Sequence, residues 1–470
     1  MASQDTFAGK RITVMGLGRF GGGAGVTRWL AAQGADVLLT DLADRAALAE
    51  PLQSINDLID RGAVRLRLGG HNVSDFTDTD LVVANPAVPR PWENRFLRAA
   101  EAAKVPVTTE IRLLVELLPE RHNVIGVTGS VGKSTTSAMI AHAVSASEVR
   151  VHFGGNIGGS LLHELPSIRA GDPVVLELSS AMLHWLSAGV GYAAAPGWSP
   201  GIAVVTNCKP NHLDWHADFD DYRRAKQQIL RAQGPDDTAL LHESVRDWPA
   251  RGRAVVISDS EAGSVGRLAV PGRHNRLNAA MALSAAEALG GDRSRAAAAL
   301  ATFPGLPHRL QLVGEFVLPG GGAPVRVFND SKSTTPESVC LALEALAEDS
   351  PAGVGSVRLI CGGYDKKIDL SPMVRAASTC AGVYTLGTTG TDLADAISRA
   401  GGHARLCEVL PRSLEEACAD LRPGEALLLS PGCASWDQFT NYEERGDRFC
   451  TLARAALSPD SAGSLVRKKS

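Results

Sequence analysis

The segment Thr128-Gly-Ser-Val-Gly-Lys133-Ser134-Thr135 carries the residue types that bind phosphate. Its glycines let backbone N–H groups close round phosphate oxygens, and the helix that follows adds partial positive charge at its first turn. Lys133 would reach the terminal phosphates, and the Ser134 hydroxyl would ligate Mg²⁺. The spacing misses G-x-x-x-x-G-K-[ST], because Val127 stands where the first glycine is expected. An ordinary strand–helix turn is the alternative, but Gly-Lys-Ser-Thr after a strand is rare, so the segment predicts ATP or GTP binding.

Two other residues, Glu177 and His212, could assist phosphate chemistry. Glu177 ends an apolar strand, where a carboxylate is costly to bury alone and could ligate Mg²⁺ by oxygen. A strand-end glutamate in solvent is the alternative. His212 also follows a strand, although an isolated histidine is more often a hydrogen-bonded structural residue than a ligand. Lys226 lies on an amphipathic helix, and periodicity alone predicts a solvated side chain there.

A second glycine-rich turn, from Gly16 to Gly25, follows the strand Arg11–Met15. Gly16 and Gly18 would offer backbone donors to a pyrophosphate, and Asp41 follows near the end of the next strand. The same pattern is typical of an NAD-binding fold with an acidic ribose contact. This turn alone therefore favours a dinucleotide, whereas the phosphate loop favours a nucleoside triphosphate.

The elements that must position these residues repeat three times as a β-branched run, a glycine-rich turn and a helical pattern. That order is typical of α/β domains with parallel sheets. In the first block the strands are predicted at 11–15, 35–41 and, as the third, 81–84. We expect three consecutive α/β domains at residues 1–111, 112–306 and 307–470: a Rossmann-like domain, a central P-loop-type ATPase and a second Rossmann-like domain.

The composition narrows the class of protein. The 470 residues include 47 basic and 51 acidic side chains, a net charge of -4, so nothing suggests a nucleic-acid partner. No apolar stretch reaches the roughly 18 residues of a membrane span, and residues 1–10 do not resemble a signal peptide. The eight cysteines form no C-x-x-C pair and predict free thiols. We expect a cytoplasmic enzyme, a monomer, with small-molecule substrates and no membrane contact.

Taken together, the motifs resemble the Mur ligase family, from about Arg11 to Phe449. The phosphate loop of that family reads T-G-x-x-G-K-[ST], which accounts for the missed spacing. The resemblance is densest in the phosphate loop and in six further segments: 155–158, 176–180, 271–278, 305–309, 329–334 and 430–439.

The resemblance implies an ATP-dependent ligase that forms an amide bond through an acyl phosphate in peptidoglycan precursor synthesis. It implies that Lys133, Glu177, His212 and Lys226 carry the catalysis, with Ser134, Glu177, His212 and a carbamylated Lys226 binding Mg²⁺. The implied ATP contacts are Thr128, Gly129, Gly132, Lys133, Ser134, Thr135, Asn278, Arg309 and Asp330.

For the other substrates, the resemblance implies that the first domain binds UDP and the third binds the amino acid. The acceptor would be UDP-N-acetylmuramoyl-L-alanine and the incoming amino acid D-glutamate. The implied contacts are Gly18, Asp41, Asn156 and Ser179 for the acceptor, and Lys332, Thr334, Lys366, Ser435 and Tyr442 for the amino acid. Three alternatives stay open: a ligase of this type for another acceptor or amino acid such as L-glutamate, an NAD-dependent oxidoreductase, and a non-catalytic nucleotide-binding switch.

Overall fold

A computed structural model describes residues 7–18, 21–212, 214–348, 350 and 352–458. The chain divides into two compact units. The first unit comprises residues 1–265 and 277–299, and the second comprises residues 266–276 and 300–470. The described residues form three sheets, two in the first unit and one in the second. The predicted α/β class with parallel sheets is confirmed.

The first sheet has the strand order β3-β2-β1-β4-β5, and all neighbouring strands run parallel. Its central strand β1 buries four consecutive residues, as expected for a parallel strand covered on both faces. The predicted strand at residues 81–84 is present, but it is the fourth strand rather than the third, because an alternating polar–apolar segment forms β3 before it. Strands β1 to β5 are Arg11–Met15, Asp36–Asp41, Val64–Leu68, Leu81–Ala84 and Val107–Thr108.

The second sheet has the order β11-β10-β9-β6-β8-β7 and is also parallel throughout. Strands β6, β8 and β9 are neighbours at its centre, and every residue in them is buried. Because parallel strands end at the same edge, the residues that follow these three strands lie close together. Strands β6 to β11 are Val124–Thr128, His152–Gly155, Val174–Glu177, Ile202–Val205, Thr238–His242 and Arg253–Ile257.

The helices of the first unit cover both sheets. Helix α6 starts with a Thr109 cap, and α9 starts with an Asp218 cap, so each start is fixed by a side chain that accepts a backbone N–H. Helices α1 to α6 are Gly22–Ala32, Ala49–Gln53, Asn56–Asp60, Ser74–Thr77, Arg95–Ala102 and Glu110–Leu117. Helices α7 to α12 are Lys133–Ser145, Ser180–Trp185, Phe219–Arg231, Asp259–Ser264, Arg273–Ala288 and Arg293–Ala301; the first four residues of α11 and the last two of α12 belong to the second unit.

The third sheet has the order β12-β13-β17-β14-β15-β16. Strand β12 pairs antiparallel with β13, and the other pairs are parallel. The sequence predicts strands at the apolar runs 325–328, 357–361, 383–386 and 426–429, and these are present as β13, β14, β15 and β17. Strands β12 to β17 are Gln311–Phe316, Val325–Asn329, Val357–Gly362, Gly382–Leu386, Ala404–Glu408 and Ala426–Leu429, and helices α13 to α17 are Pro336–Glu348, Ser371–Ala377, Gly390–Arg399, Leu410–Asp420 and Tyr442–Leu457.

Two further sequence predictions concern cysteines and membrane spans. All eight cysteines are free, as predicted, and five of them are buried. Among the described helices, none combines the length and the apolar character that crossing a bilayer requires.

Candidate active site

The phosphate loop joins β6 to α7, and its two glycines are required by geometry. Gly129 has φ 154°, and a Cβ there would lie 1.9 Å from the Thr206 hydroxyl oxygen. Gly132 has φ 87° and caps α7, where a Cβ would lie 2.9 Å from the Asn278 amide oxygen. Residues other than glycine rarely adopt such backbone angles. The loop is therefore held tightly against its neighbours, with Lys133, Ser134 and Thr135 forming the first turn of α7.

The segment after β9 supports this loop. The Asn207 side-chain oxygen accepts from the backbone N–H groups of Ser130 and Val131 at 3.1 and 3.0 Å. The Thr206 hydroxyl donates to the Val131 carbonyl at 2.6 Å, and the Ser130 hydroxyl donates to the Lys209 carbonyl at 2.8 Å. Sequence reasoning missed Asn207 as a site residue. Its position directly after a central strand was the available signal, because such residues share an edge with the phosphate loop.

Two lysines meet at the loop. Lys133 Nζ donates to the Ser130 carbonyl at 3.3 Å. Lys226 is buried, and its Nζ donates to the Gly129 carbonyl at 2.8 Å and to the Thr128 hydroxyl at 3.3 Å. Burial, aided by the Lys133 cation, lowers the pKa of Lys226 to about 7. The periodicity-based expectation of a solvated Lys226 was therefore wrong, because that face of α9 packs on the loop rather than facing water.

Glu177, the last residue of β8, is buried beside Asn156. The Asn156 amide donates to one Glu177 carboxylate oxygen, Oε1, at 2.8 Å. Its other oxygen, Oε2, is buried and has no hydrogen-bond partner among the described residues. The alternative of a solvent-facing strand-end glutamate is thereby excluded. A buried carboxylate oxygen without a donor is suited to a cation.

His212 and Ser179 face the same region. His212 has a backbone φ of 53°, in the left-handed region, and burial lowers the pKa of its imidazole. A neutral imidazole is the form that binds metals. The Ser179 hydroxyl caps α8 by accepting from the Met182 N–H at 3.2 Å. Among the described residues no three His, Cys, Asp or Glu side chains cluster as a metal site. Mg²⁺ does not require such a cluster, because it typically binds one or two carboxylates and completes its shell with water and phosphate. The single buried carboxylate of Glu177 therefore fits Mg²⁺.

One cavity of about 510 Å³ connects many of these residues. It extends from the glycine turn after β1 to the phosphate loop. Six predicted site residues line it: Gly18, Lys133, Asn156, Ser179, His212 and Lys226. Residues 19 and 20 of the glycine turn lie outside the described residues. Asp41 has a local structural contact, since its carboxylate accepts from the Leu17 and Ala43 N–H groups, each at 2.9 Å.

Asn278, on α11, is the predicted adenosine contact that belongs to the first unit. Its side-chain oxygen accepts from the Thr136 hydroxyl at 3.1 Å, one turn into α7. The residue therefore lies against the start of the phosphate-loop helix. The other two predicted adenosine contacts, Arg309 and Asp330, belong to the second unit.

In the second unit, Asp330 follows β13 and is buried. Its carboxylate accepts from the Leu310 N–H at 3.0 Å and from the Ser430 hydroxyl at 2.8 Å. Burial raises the pKa of this carboxyl to about 7. Arg309 lies between His308 and Leu310, which both have positive φ, at 61° and 42°. Such angles are rare outside glycine, so the turn that displays Arg309 is strained.

Two of the predicted amino-acid contacts, Lys332 and Lys366, each lie over an aromatic ring. Lys332 Nζ lies 5.2 Å from the Tyr442 ring centre, and Lys366 Nζ lies 5.7 Å from that of Trp436. Lys366 Nζ also donates to the Thr334 carbonyl at 3.3 Å. Both ammonium groups are thus oriented by an aromatic ring. The fifth predicted contact, Ser435, is buried in the segment that follows β17.

Buried Arg445, which sequence reasoning missed, joins the two segments that carry these residues. Its guanidinium donates to the Ser331 carbonyl at 2.9 Å and to the Cys433 carbonyl at 3.2 Å. Burial lowers the pKa of Arg445 to about 10. A single arginine on a helix gives no sequence signal for such a role. Its five N–H donors nevertheless hold the segments after β13 and β17 together.

Residues 127–250 match the Mur ligase middle domain, and residues 308–433 match the Mur ligase glutamate ligase domain. The UDP-N-acetylmuramoylalanine--D-glutamate ligase of Anaeromyxobacter dehalogenans is 36% identical over 95% of this chain and 97% of its own length. The protein of the same name from Roseiflexus sp. is 36% identical over 94% and 98%.

The chain belongs to the Mur ligase family. It is thus an ATP-dependent ligase, and the oxidoreductase and nucleotide-switch alternatives no longer apply. Solved structures agree on the fold of these ligases. UDP-N-acetylmuramate-alanine ligase MurC from Thermotoga maritima matches with a TM-score of 0.55 at 20% identity, covering 95% of this chain and 100% of that one. MurF ligase from Thermotoga maritima, solved in complex with ADP, matches with a TM-score of 0.52 at 14% identity over 97% of both chains.

Proposed function

We propose that this Mur ligase adds D-glutamate to UDP-N-acetylmuramoyl-L-alanine, using ATP and an acyl-phosphate intermediate in the cytoplasm. The observation that carries the proposal is the single cavity running from Gly18 to Lys133. An acceptor with a nucleotide at one end and a carboxylate at the other fits a cavity whose ends are a dinucleotide-type glycine turn and a phosphate loop. The relatives named for this reaction match nearly the whole chain.

The chemistry requires two anions to meet. A carboxylate does not react with an amine unaided, because its leaving group would be oxide. Transfer of the γ-phosphoryl group of ATP to the alanine carboxylate gives an acyl phosphate and ADP. The amine of glutamate then attacks the acyl carbon, loses a proton and expels phosphate. Lys133 and the first turn of α7 would offset the repulsion in the first step.

Ser134, Glu177, His212 and Lys226 would hold Mg²⁺. When bound, Mg²⁺ neutralises charge on the phosphate oxygens during transfer. Glu177 fits this role because its Oε2 has no other partner among the described residues. Lys226 fits it after reaction with CO₂, in which the neutral amine forms an N–C bond and loses a proton, leaving an anionic carbamate. The lowered pKa of Lys226, about 7, supplies the neutral amine that this reaction needs.

The remaining contacts divide by substrate. Thr128, Gly129, Gly132 and Thr135 would complete the ATP phosphate site, and Asn278, Arg309 and Asp330 would bind adenosine. The acceptor would touch Gly18, Asp41, Asn156 and Ser179, and the amino acid would touch Lys332, Thr334, Lys366, Ser435 and Tyr442. We keep the proposed domains 1–111, 112–306 and 307–470, with UDP, ATP and the amino acid on successive domains of a monomer.

Formation of ADP at a fixed concentration of UDP-N-acetylmuramoyl-L-alanine tests the proposal. D-glutamate, L-glutamate and D-aspartate are supplied in turn, and one reaction receives no amino acid. We expect D-glutamate to give the fastest ADP formation and the omission to give almost none. Faster turnover with L-glutamate would contradict the stereochemistry and support the alternative ligase for another amino acid.

A further inference from the structure

A serine, a histidine and a carboxylate form a hydrogen-bonded chain behind the cavity wall. Ser180 Oγ lies 2.9 Å from His216 Nε2, and His216 Nδ1 lies 2.9 Å from the Asp221 carboxylate. Ser180 lines the cavity beside Ser179 and Met182. None of the phosphate, metal, adenosine or amino-acid contacts proposed above includes Ser180, His216 or Asp221.

The chain of three is rigid because its members lie on packed elements. Ser180 is the first residue of α8, and Asp221 lies in the first turn of α9. The His216 ring is fully buried, with the Trp215 ring centre at 4.4 Å and the Tyr222 ring centre at 5.3 Å. The imidazole therefore cannot turn away from its two partners without displacing an aromatic ring.

This arrangement defines which atom donates in each bond. A carboxylate only accepts, so His216 Nδ1 carries the hydrogen that faces Asp221. In the neutral imidazole, Nε2 is then an acceptor, and the Ser180 hydroxyl donates its hydrogen inward to it. The Ser180 oxygen consequently presents only lone pairs to the cavity. A hydroxyl that normally both donates and accepts is restricted to accepting.

We propose that His216 and Asp221 are positioning residues. They orient the Ser180 hydroxyl so that its oxygen accepts a hydrogen bond from an N–H of the acceptor substrate. The acceptor of the proposed function, on which this inference rests, has one amide N–H next to the carboxylate that is phosphorylated: the N–H of its alanine. A hydrogen bond at that N–H would hold the carboxylate near Lys133. It would also distinguish a peptide acceptor from one of the same shape without an N–H.

An ester analogue tests the proposal. In this analogue L-lactate replaces L-alanine, so an ester oxygen replaces the amide N–H and the carboxylate is kept. The wild type should show a KM for the ester roughly 3- to 10-fold above that for the amide, the range expected for losing one hydrogen bond. Ser180→Ala should raise the KM for the amide acceptor by a similar factor and leave the KM for the ester and for ATP nearly unchanged.

Two matched amide variants separate the positioning role from simple packing. In His216→Gln, the side-chain oxygen reaches the place of Nε2 and can still accept from Ser180. In His216→Asn, the shorter side chain can replace only Nδ1. We expect Gln to keep the preference for the amide acceptor and Asn to lose it as Ser180→Ala does. Thermal unfolding of each variant identifies any that fails to fold. If a His216 variant does not fold, the comparison of Ser180→Ala with the wild type tests the proposal without it.

The outcomes distinguish failure of this inference from failure of the proposed function. If the wild type forms no ADP with UDP-N-acetylmuramoyl-L-alanine, the proposed function fails. If it does, but Ser180→Ala changes the KM for amide and ester equally, the orientation of Ser180 by His216 is refuted. A wild type that prefers the ester would show that the hydroxyl donates into the cavity instead. A covalent fluorophosphonate adduct on Ser180 would also overturn the inference, because it would identify a nucleophile.

Discussion

The turns after β1 and after β6 differ in the charged side chains that contact their described residues. Each joins a buried parallel strand to a helix that begins after a glycine with positive φ. At the first turn, the Asp41 carboxylate accepts from the Leu17 N–H. At the second, Lys133 and Lys226 bring their amines to the loop. The second turn therefore has amines beside its backbone donors, whereas the described part of the first turn has a carboxylate. A glycine pattern alone thus does not show whether a turn has the cations that a triphosphate attracts.

Removing a cation from the second turn should have the largest effect. Lys133→Ala leaves the glycine loop intact but removes the amine that is proposed to contact the γ-phosphoryl group. We expect kcat to fall roughly 10²- to 10³-fold, as when one preorganised donor to a developing charge is removed from an active site. Steady-state ADP formation measures the loss, and an unchanged Tm serves as the control. A folded variant with near wild-type turnover would refute the role of this turn.

The buried carboxylate beside the second turn should control the demand for Mg²⁺. Glu177→Gln keeps a side-chain oxygen that can accept from Asn156 but removes the negative charge. We expect the Mg²⁺ concentration for half-maximal activity to rise roughly 10- to 100-fold, the range found when metal-site contacts are altered. An Mg²⁺ titration at saturating ATP gives the value. The same titration curve for variant and wild type would exclude Glu177 as a ligand.

Glu110 lines the cavity on the side of the first turn and should make the stability of the fold depend on pH. This carboxyl is buried and accepts from the Ser160 hydroxyl at 2.6 Å, and burial raises its pKa to about 7. Between about pH 4 and 7 the folded state binds more protons than the unfolded state. The contribution of Glu110 to the free energy of unfolding therefore falls as the pH rises through this interval. The Glu110→Gln side chain does not ionise. The free energy of unfolding of this variant should therefore exceed that of the wild type by roughly 2–3 kcal/mol at pH 8.

Urea unfolding of both proteins from pH 4 to pH 8 measures that difference. Other titrating groups, such as Asp330, are common to both proteins and cancel when the two free energies of unfolding are subtracted. The difference should grow across the interval and level off above about pH 7. A difference that is independent of pH would show that Glu110 has the same pKa in the folded and unfolded states, and would contradict the raised pKa.

The glycines of the two turns should differ in their tolerance of a methyl group. Gly129→Ala would place Cβ against the Thr206 hydroxyl at a φ of 154°, and should destabilise the protein by about 1–3 kcal/mol. Gly22→Ala, at the start of α1, meets nothing within 4 Å and has no positive φ. It should be neutral or stabilising by about 0.5 kcal/mol. Equal Tm changes for the two variants would contradict the tight fit of the second turn.

Sequence patterns identified most of the inner strands but not the sheet edges. Strands such as β6 and β17 are continuous apolar runs, so their prediction needed no tertiary information. β3 and β16 alternate or expose their side chains, because each lies at an edge of its sheet. β12 was missed as well, since an antiparallel edge strand interrupts the repeating pattern of strand, turn and helix.

The residues of the candidate site likewise divide into those that the sequence identifies and those that it does not. The phosphate loop could be identified because its backbone geometry requires glycine at 129 and 132, which leaves a trace in the sequence. Lys226, Arg445 and His216 could not be identified from periodicity or spacing. Each is a single polar residue whose burial depends on contacts from distant segments, so only the folded chain reveals its partners.

Transfer of oxygen from the acceptor to phosphate tests the central claim most directly. The acceptor UDP-N-acetylmuramoyl-L-alanine is labelled with ¹⁸O in its carboxylate and incubated with ATP, Mg²⁺ and D-glutamate, and the released phosphate is analysed by mass spectrometry. If the second turn activates the carboxylate as an acyl phosphate, the phosphate formed with the amide product carries ¹⁸O from the acceptor. Unlabelled phosphate alongside the amide product would contradict that account.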